Sequence, residues 1–208
     1  MWADAEHLGD TLASDPTGTT VWNCSLVTAK YLEWATLSAA AAAAAATSED
    51  AAGGGAGGVG VGSRHGEASC AGKRVLELGA GLGVAGLAAC RLGASSVVFS
   101  DKEKTTLDLL GLNVVCHCRE GRAAGSAEQS VDVTSYDWLK KSGPARRLKS
   151  AGPFDIVVAS DLVYAASAQL IPALINALLT VAGWGAPGGG DCLMLVALEL
   201  RPDAAEER

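Results

Sequence analysis

The most constraining stretch of this chain is residues 73–86, K-R-V-L-E-L-G-A-G-L-G-V-A-G. Val75, Leu76 and Leu78 make a short apolar run that predicts a buried strand. Gly79, Gly81 and Gly83 follow at once, and residues 84–92 predict a helix. Strand, glycine loop and helix in succession point to an α/β fold. The same arrangement can hold a polar or anionic cofactor against backbone N–H groups. The glycines permit close approach, and the helix start contributes the positive end of its dipole.

Two glycine registers are open. One is Gly79-x-Gly81-x-Gly83, counted from the end of the strand. The other is Gly81-x-Gly83-x-x-Gly86, which fits the dinucleotide fingerprint. A dinucleotide loop should begin where the strand ends, and counted from Gly79 that pattern puts Val84 where its third glycine belongs. A tight turn without a ligand also satisfies the loop, so the rest of the chain has to decide.

The 208 residues suffice for one domain with a sizeable core. The formal net charge of −7 argues against nucleic acid or an anionic membrane as partner, since both want a basic face. The six cysteines, Cys24, Cys70, Cys90, Cys116, Cys118 and Cys192, include no C-x-x-C pair. Cys116-His117-Cys118 has no second half at zinc spacing, so no metal is expected. Reduced thiols and an acidic N-terminus without an apolar core lead to a cytoplasmic expectation. No stretch has the length and apolarity of a membrane span.

From residue 19, Leu26, Val27, Tyr31 and Trp34 recur at helical spacing with Lys30 and Glu33 between them. This predicts an amphipathic helix with Trp22 at its start. Residues 1–37 thus read as an N-terminal arm and helix. Residues 38–69 read as a low-complexity Ala/Gly insertion, with the alanines able to prolong the helix. Residues 70–208 read as the cofactor-binding domain. There a second strand over 96–100 ends in Asp101, about 20 residues past the loop, where an acid can accept from ribose hydroxyls or cap the next helix. Residues 131–133 are a third strand, followed by Tyr136-Asp137-Trp138, and Trp138 can stack on an adenine. Residues 140–153 read as a loop. Residues 154–159 are the fourth strand, with Ser160-Asp161-Leu162-Val163-Tyr164 at its carboxyl end, beside the point where strand order would reverse. A helix over 169–182 and a fifth strand over 192–200 complete the pattern.

In combination, V-W-N-C-S-L-V-T-A-K-Y-L-E, V-L-E-L-G-A-G-L-G, F-S-D, Y-D-W and S-D-L-V-Y, in that order, resemble the class I S-adenosylmethionine-dependent methyltransferases. More closely, they resemble the protein-lysine methyltransferase family (methyltransferase family 16), across residues 19–37 and 72–202. The resemblance implies a Rossmann-like, doubly wound, mostly parallel sheet in the order 3-2-1-4-5. It also implies a further helix and strand pair after strand five, which the sequence does not supply, so a chain cut short at its C-terminus is expected.

The resemblance implies that S-adenosyl-L-methionine is bound by Trp22, Glu77, Gly79, Ala80, Gly81, Gly83, Asp101, Trp138 and Ser160. Asp161 and Tyr164 match its D-x-x-Y motif beside the substrate amine. The implied reaction is methyl transfer to a lysine of a protein such as a chaperone, an ATPase or a translation factor. Asn23 stands where the family usually has Asp, and Ala165-Ala166 where acids often follow the tyrosine. A cofactor- or partner-binding remnant without turnover is therefore the main alternative. A small-molecule methyltransferase and an NAD-dependent oxidoreductase are the others.

Overall fold

The computed structural model describes residues 16–49, 64–119, 128–140, 146–163, 169–183 and 191–199. The sheet has five parallel strands: β1 (Arg74–Leu78), β2 (Ser96–Asp101), β3 (Ser130–Ser135), β4 (Ile156–Ser160) and β5 (Leu193–Ala197). Their order is β3-β2-β1-β4-β5, as the resemblance implies. β1 lies at the centre, with Leu76 opposite Val98 of β2 on one side and Val157 of β4 on the other. A parallel sheet is covered on both faces, which is why its inner strands read as continuous apolar runs.

Side chains alternate across the sheet with period two. Val75, Val97, Phe99, Ile156 and Val158 build one core. It is covered by Leu32 of α1 (Asn23–Glu49), by Ala85 and Ala89 of α2 (Val84–Arg91), and by Leu110 of α3 (Lys104–Val114). Leu76, Leu78, Val98, Val157 and Ala159 build the other. Leu148 of α4 (Arg146–Ala151) covers it, together with Leu174, Ala177 and Leu178 of α5 (Ile171–Val181). Pro172 lies in the first turn of α5, where its missing N–H costs nothing.

Several expectations need correction. The face of α1 that packs inward is Cys24, Thr28, Leu32, Ala35 and Thr36, whereas Leu26, Val27 and Trp34 are exposed. α1 lies against the alanine-rich α2, and small side chains let two helices approach closely. Alanines 39–46 belong to α1, as their helix propensity allows. The stretch expected to be a loop contains α4. Leu148 anchors it in the core, and the Arg74 guanidinium donates to the carbonyls of Ala151 and, at 2.9 Å, Gly152 at its end. Asp101 does not cap α3, because the residue at the N-cap is Glu103. β3 is also longer than the predicted third strand, and β5 is shorter than the predicted fifth. Among the described residues only β4 pairs with β5, and Val196 and Leu198 are exposed there. No helix among the described residues is long and apolar enough to cross a membrane.

Candidate functional site

The order of the strands reverses between β1 and β4, so their carboxyl ends diverge and leave a crevice. A cleft of about 400 Å³ lies there. It is lined by Trp22, Glu77, Gly79, Ala80, Gly81, Asp101, Trp138, Ser160 and Asp161, all expected at the site from the sequence. Two expected residues remain. Tyr164 lies outside the described residues. Gly83 sits under the loop, where a Cβ would come within 2.5 Å of Leu110 and 3.2 Å of Phe99. It serves close packing of α2 on the core, not the cleft. Gly86 is similar: a Cβ there would lie 2.3 Å from Phe99 and 2.7 Å from Glu77. The second and third glycines of the dinucleotide register are thus explained by packing.

The loop itself is held by side chains. Gly79, Gly81 and Gly83 all have positive φ, which only glycine adopts without strain. The Gly81 N–H donates to Asp101 Oδ2 at 2.9 Å. Asp101 Oδ1 accepts from the N–H groups of Lys102 at 2.7 Å and Glu103 at 3.3 Å. Asn113 of α3 donates to the Leu82 carbonyl at 3.1 Å, and the Ala80 N–H donates to the Ser100 carbonyl at 2.9 Å.

Glu77 is 2 % exposed and accepts from the Gly86 N–H at 2.9 Å. Burial pushes its carboxyl up from 4.5 to about 8. The Gly86 and Ala85 N–H groups oppose that rise, and the nearby Asp101 charge adds to it. Asp161, at the end of β4, is a non-glycine residue at φ 58, held by its N–H bond to the Ala197 carbonyl at 2.7 Å. Backbone strain of this kind persists only where the surroundings impose it.

Sequence reasoning missed three contributors. Tyr136 is buried and lines the cleft beside Trp138; it was legible only as a neighbour in Y-D-W. Thr106 is fully buried at the cleft, and its hydroxyl has no hydrogen-bond partner among the described residues. A short 3₁₀ segment, Pro16–Thr19, runs across the glycine loop. A Cβ on its Gly18 would meet Thr106, and the Gly18 carbonyl lies 3.4 Å from where a Cβ of Gly81 would be. Asp101, Glu103 and Asp161 bring three acids to the cleft against Lys102, a lining that favours a positively charged ligand, while Glu77, raised to about 8, is largely protonated at neutral pH. Among the described residues no cluster of ligating side chains could hold a metal ion.

Three kinds of similarity to known proteins bear on this site. Zebrafish (Danio rerio) protein N-lysine methyltransferase METTL21A is 31 % identical over 141 residues, which are 68 % of this chain and 56 % of that protein. The chain thus spans little more than half the length of that relative. Among solved structures, a candidate RNA methyltransferase of Pyrococcus horikoshii aligns with TM-score 0.40 and 23 % identity, over 56 % of this chain and 50 % of that one. Protein arginine methyltransferase 10 of Arabidopsis thaliana aligns with TM-score 0.37 and 19 % identity, over 51 % of this chain and 26 % of that one. These structures are too distant to add to a fold already given by the strand order. The family model described as lysine methyltransferase matches residues 9–207, and the chain belongs to that family.

Proposed function

We propose that the chain binds S-adenosylmethionine in this cleft and methylates the side-chain amine of a lysine in a protein. One observation carries the reading. A single cleft at the carboxyl ends of the central strands gathers a glycine loop, an acid at the tip of β2, flanking tryptophans and a strained acid at the tip of β4. The cofactor fits the residues present. A cleft of about 400 Å³ is in the range of small-molecule sites. Gly79 and Gly81 line the cleft and carry no side chain, so a ligand can come close to the loop backbone there.

When bound, S-adenosylmethionine supplies a methyl group on a positively charged sulfur. Gly79, Ala80 and Gly81 would floor its methionine part, Asp101 would take a ribose hydroxyl, and Trp22 and Trp138 would flank it. Asp161 and Tyr164 would position the incoming amine. A free lysine is almost wholly protonated at neutral pH, by its ordinary pKa of about 10.4. The chain's contribution is therefore to orient a neutral amine and exclude water from it, with no strong base required. The acidic balance suits a basic patch on the substrate protein and not nucleic acid. A chaperone, an ATPase or a translation factor is the substrate class to screen, in the cytoplasm, where thiols such as these stay reduced.

The test is calorimetric titration of the chain with S-adenosylhomocysteine, followed by transfer of labelled methyl groups to lysine-bearing proteins. Micromolar binding that is weakened at least tenfold by Asp101→Ala, together with label on lysine, is expected. A folded chain that binds no cofactor would sink the proposal. Binding without transfer to any protein would instead favour the remnant reading, which Ala165-Ala166, where the family often has acids, supports.

A further inference from the structure

Thr28 is a buried hydroxyl on the inner face of α1, a position where a core-facing helix normally carries an apolar side chain. Its Oγ1 lies 2.8 Å from the Cys24 carbonyl and 3.0 Å from Ser160 Oγ. Ser160 lines the cleft at the end of β4.

The direction of these two bonds follows from counting protons. A carbonyl only accepts, so the short Thr28–Cys24 contact requires the single Thr28 proton. Back-bonding of this kind, from a threonine to the carbonyl one turn earlier, is common in helices. Having spent its proton there, Thr28 can only accept from Ser160. Ser160 must therefore aim its own proton at α1, away from the cleft. A serine whose proton is committed presents only lone pairs on its other side. The chain Ser160 to Thr28 to Cys24 carbonyl also polarises each link in the same sense, which strengthens the Ser160 oxygen as an acceptor.

We propose that Thr28 is a positioning residue that fixes Ser160 as a pure acceptor, and that this acceptor favours the positive sulfur centre of the cofactor over the neutral sulfur of the product. The inference rests on the reading that the cleft takes S-adenosylmethionine. It adds a device for telling cofactor from product, carried by a residue that does not line the cleft. In Thr28→Val the shape is kept, but the Ser160 proton is released and can turn toward the ligand, where a positive charge repels it.

The experiment measures dissociation constants of S-adenosylmethionine and S-adenosylhomocysteine by calorimetry for the wild type, Thr28→Val, Thr28→Ser, Ser160→Ala and the double variant Thr28→Val/Ser160→Ala. We expect Thr28→Val to weaken S-adenosylmethionine about fivefold, a change typical of one hydrogen bond, with less than a twofold change for S-adenosylhomocysteine. Thr28→Ser should restore the wild-type ratio. Ser160→Ala should reproduce the selective loss, and adding Thr28→Val to it should change the ratio no further. An equal loss for both ligands, or none, in a Thr28→Val chain that still binds overturns this inference alone. If Thr28→Val fails to fold, an unchanged ratio in Ser160→Ala overturns it. A folded wild type that binds neither ligand overturns the functional proposal together with it.

Discussion

Glu77 offers the sharpest test of the physical reasoning, because its burial sets opposite signs for two intuitions. Replacing a buried acid by glutamine keeps the size and the oxygen that accepts from the Gly86 N–H. It removes the charge that can form when Glu77 ionises. The carboxyl rises from 4.5 to about 8 in the folded chain, chiefly by burial. Below pH 4.5 both folded and unfolded chains hold this proton, and its contribution to stability is complete. Between 4.5 and 8 the unfolded chain has lost the proton while the folded chain keeps it, so raising the pH favours unfolding. Each pH unit in that window costs about 1.4 kcal/mol, giving about 4 to 5 kcal/mol across it. That is a large share of the 5–15 kcal/mol typical of domains. Urea unfolding followed by tryptophan fluorescence from pH 5 to 8.5, on the wild type and Glu77→Gln, isolates this group, because every other titrating residue cancels in the difference. The variant should be close to the wild type at pH 5 and gain on it steadily, becoming more stable by several kcal/mol at pH 8. A difference that stays flat across the window would refute the argument that burial dominates at Glu77.

Other outcomes follow from the same contacts. A cationic ligand near Glu77 favours its ionised form, so binding near neutral pH should release part of the proton that Glu77 holds, up to about 0.9 of a proton at pH 7. Calorimetry in buffers of different ionisation heat reads that release, and Glu77→Gln should abolish it. Gly86→Ala would put a methyl group 2.3 Å from Phe99, whereas Gly111→Ala on α3 meets nothing within 4 Å. The first should cost about 1–3 kcal/mol by overpacking and the second should gain up to about 1 kcal/mol in helix propensity, so opposite shifts in melting temperature are expected. Of the six cysteines only Cys116 is exposed, and burial raises Cys70 and Cys192 to about 11. An aromatic disulfide reagent at pH 7.5 should therefore modify one thiol rapidly in the native chain and six in denaturant. Two fast thiols would contradict the packing of Cys192.

What was legible in the sequence was whatever the local pattern determines. The strand Arg74–Leu78 and the glycines after it declare themselves, because a strand buried on both faces must be apolar and a left-handed turn needs glycine. The buried face of α1 was not legible. Leu26, Val27 and Trp34 outweigh Thr28, Ala35 and Thr36 on any hydropathy reading, but the partner helix α2 offers alanines and a glycine, and close contact selects small residues. Helix α4 was hidden for a related reason. Its basic residues and flanking Gly and Pro read as a loop, and only the tertiary anchoring of Leu148 and the Arg74 bonds to its last carbonyls support a helix there. At the site, glycine spacing alone could not assign roles. Gly79 and Gly81 face the cleft, whereas Gly83 and Gly86 face Phe99, although all four belong to one run.

Asp101 shows how packing and binding share one residue. The acid at the tip of β2 was expected to serve a ligand, and in the structure it already accepts three backbone N–H groups, from Gly81, Lys102 and Glu103. An ionised carboxylate has about four lone-pair sites, so one remains for a ligand hydroxyl. The bonds from Gly81 to Asp101, Gly86 to Glu77 and Asn113 to Leu82 hold the loop backbone in its left-handed turns without any ligand. Less ordering then remains to be done on binding, and more of the contact energy is realised as affinity. The same economy makes Asp101→Ala ambiguous as a probe, since it removes a ligand contact and unties the loop together. Glu77→Gln and Thr28→Val separate the two effects, because each leaves the loop's bonds to Asp101 and Asn113 in place and alters only the charge or proton direction that the cleft presents.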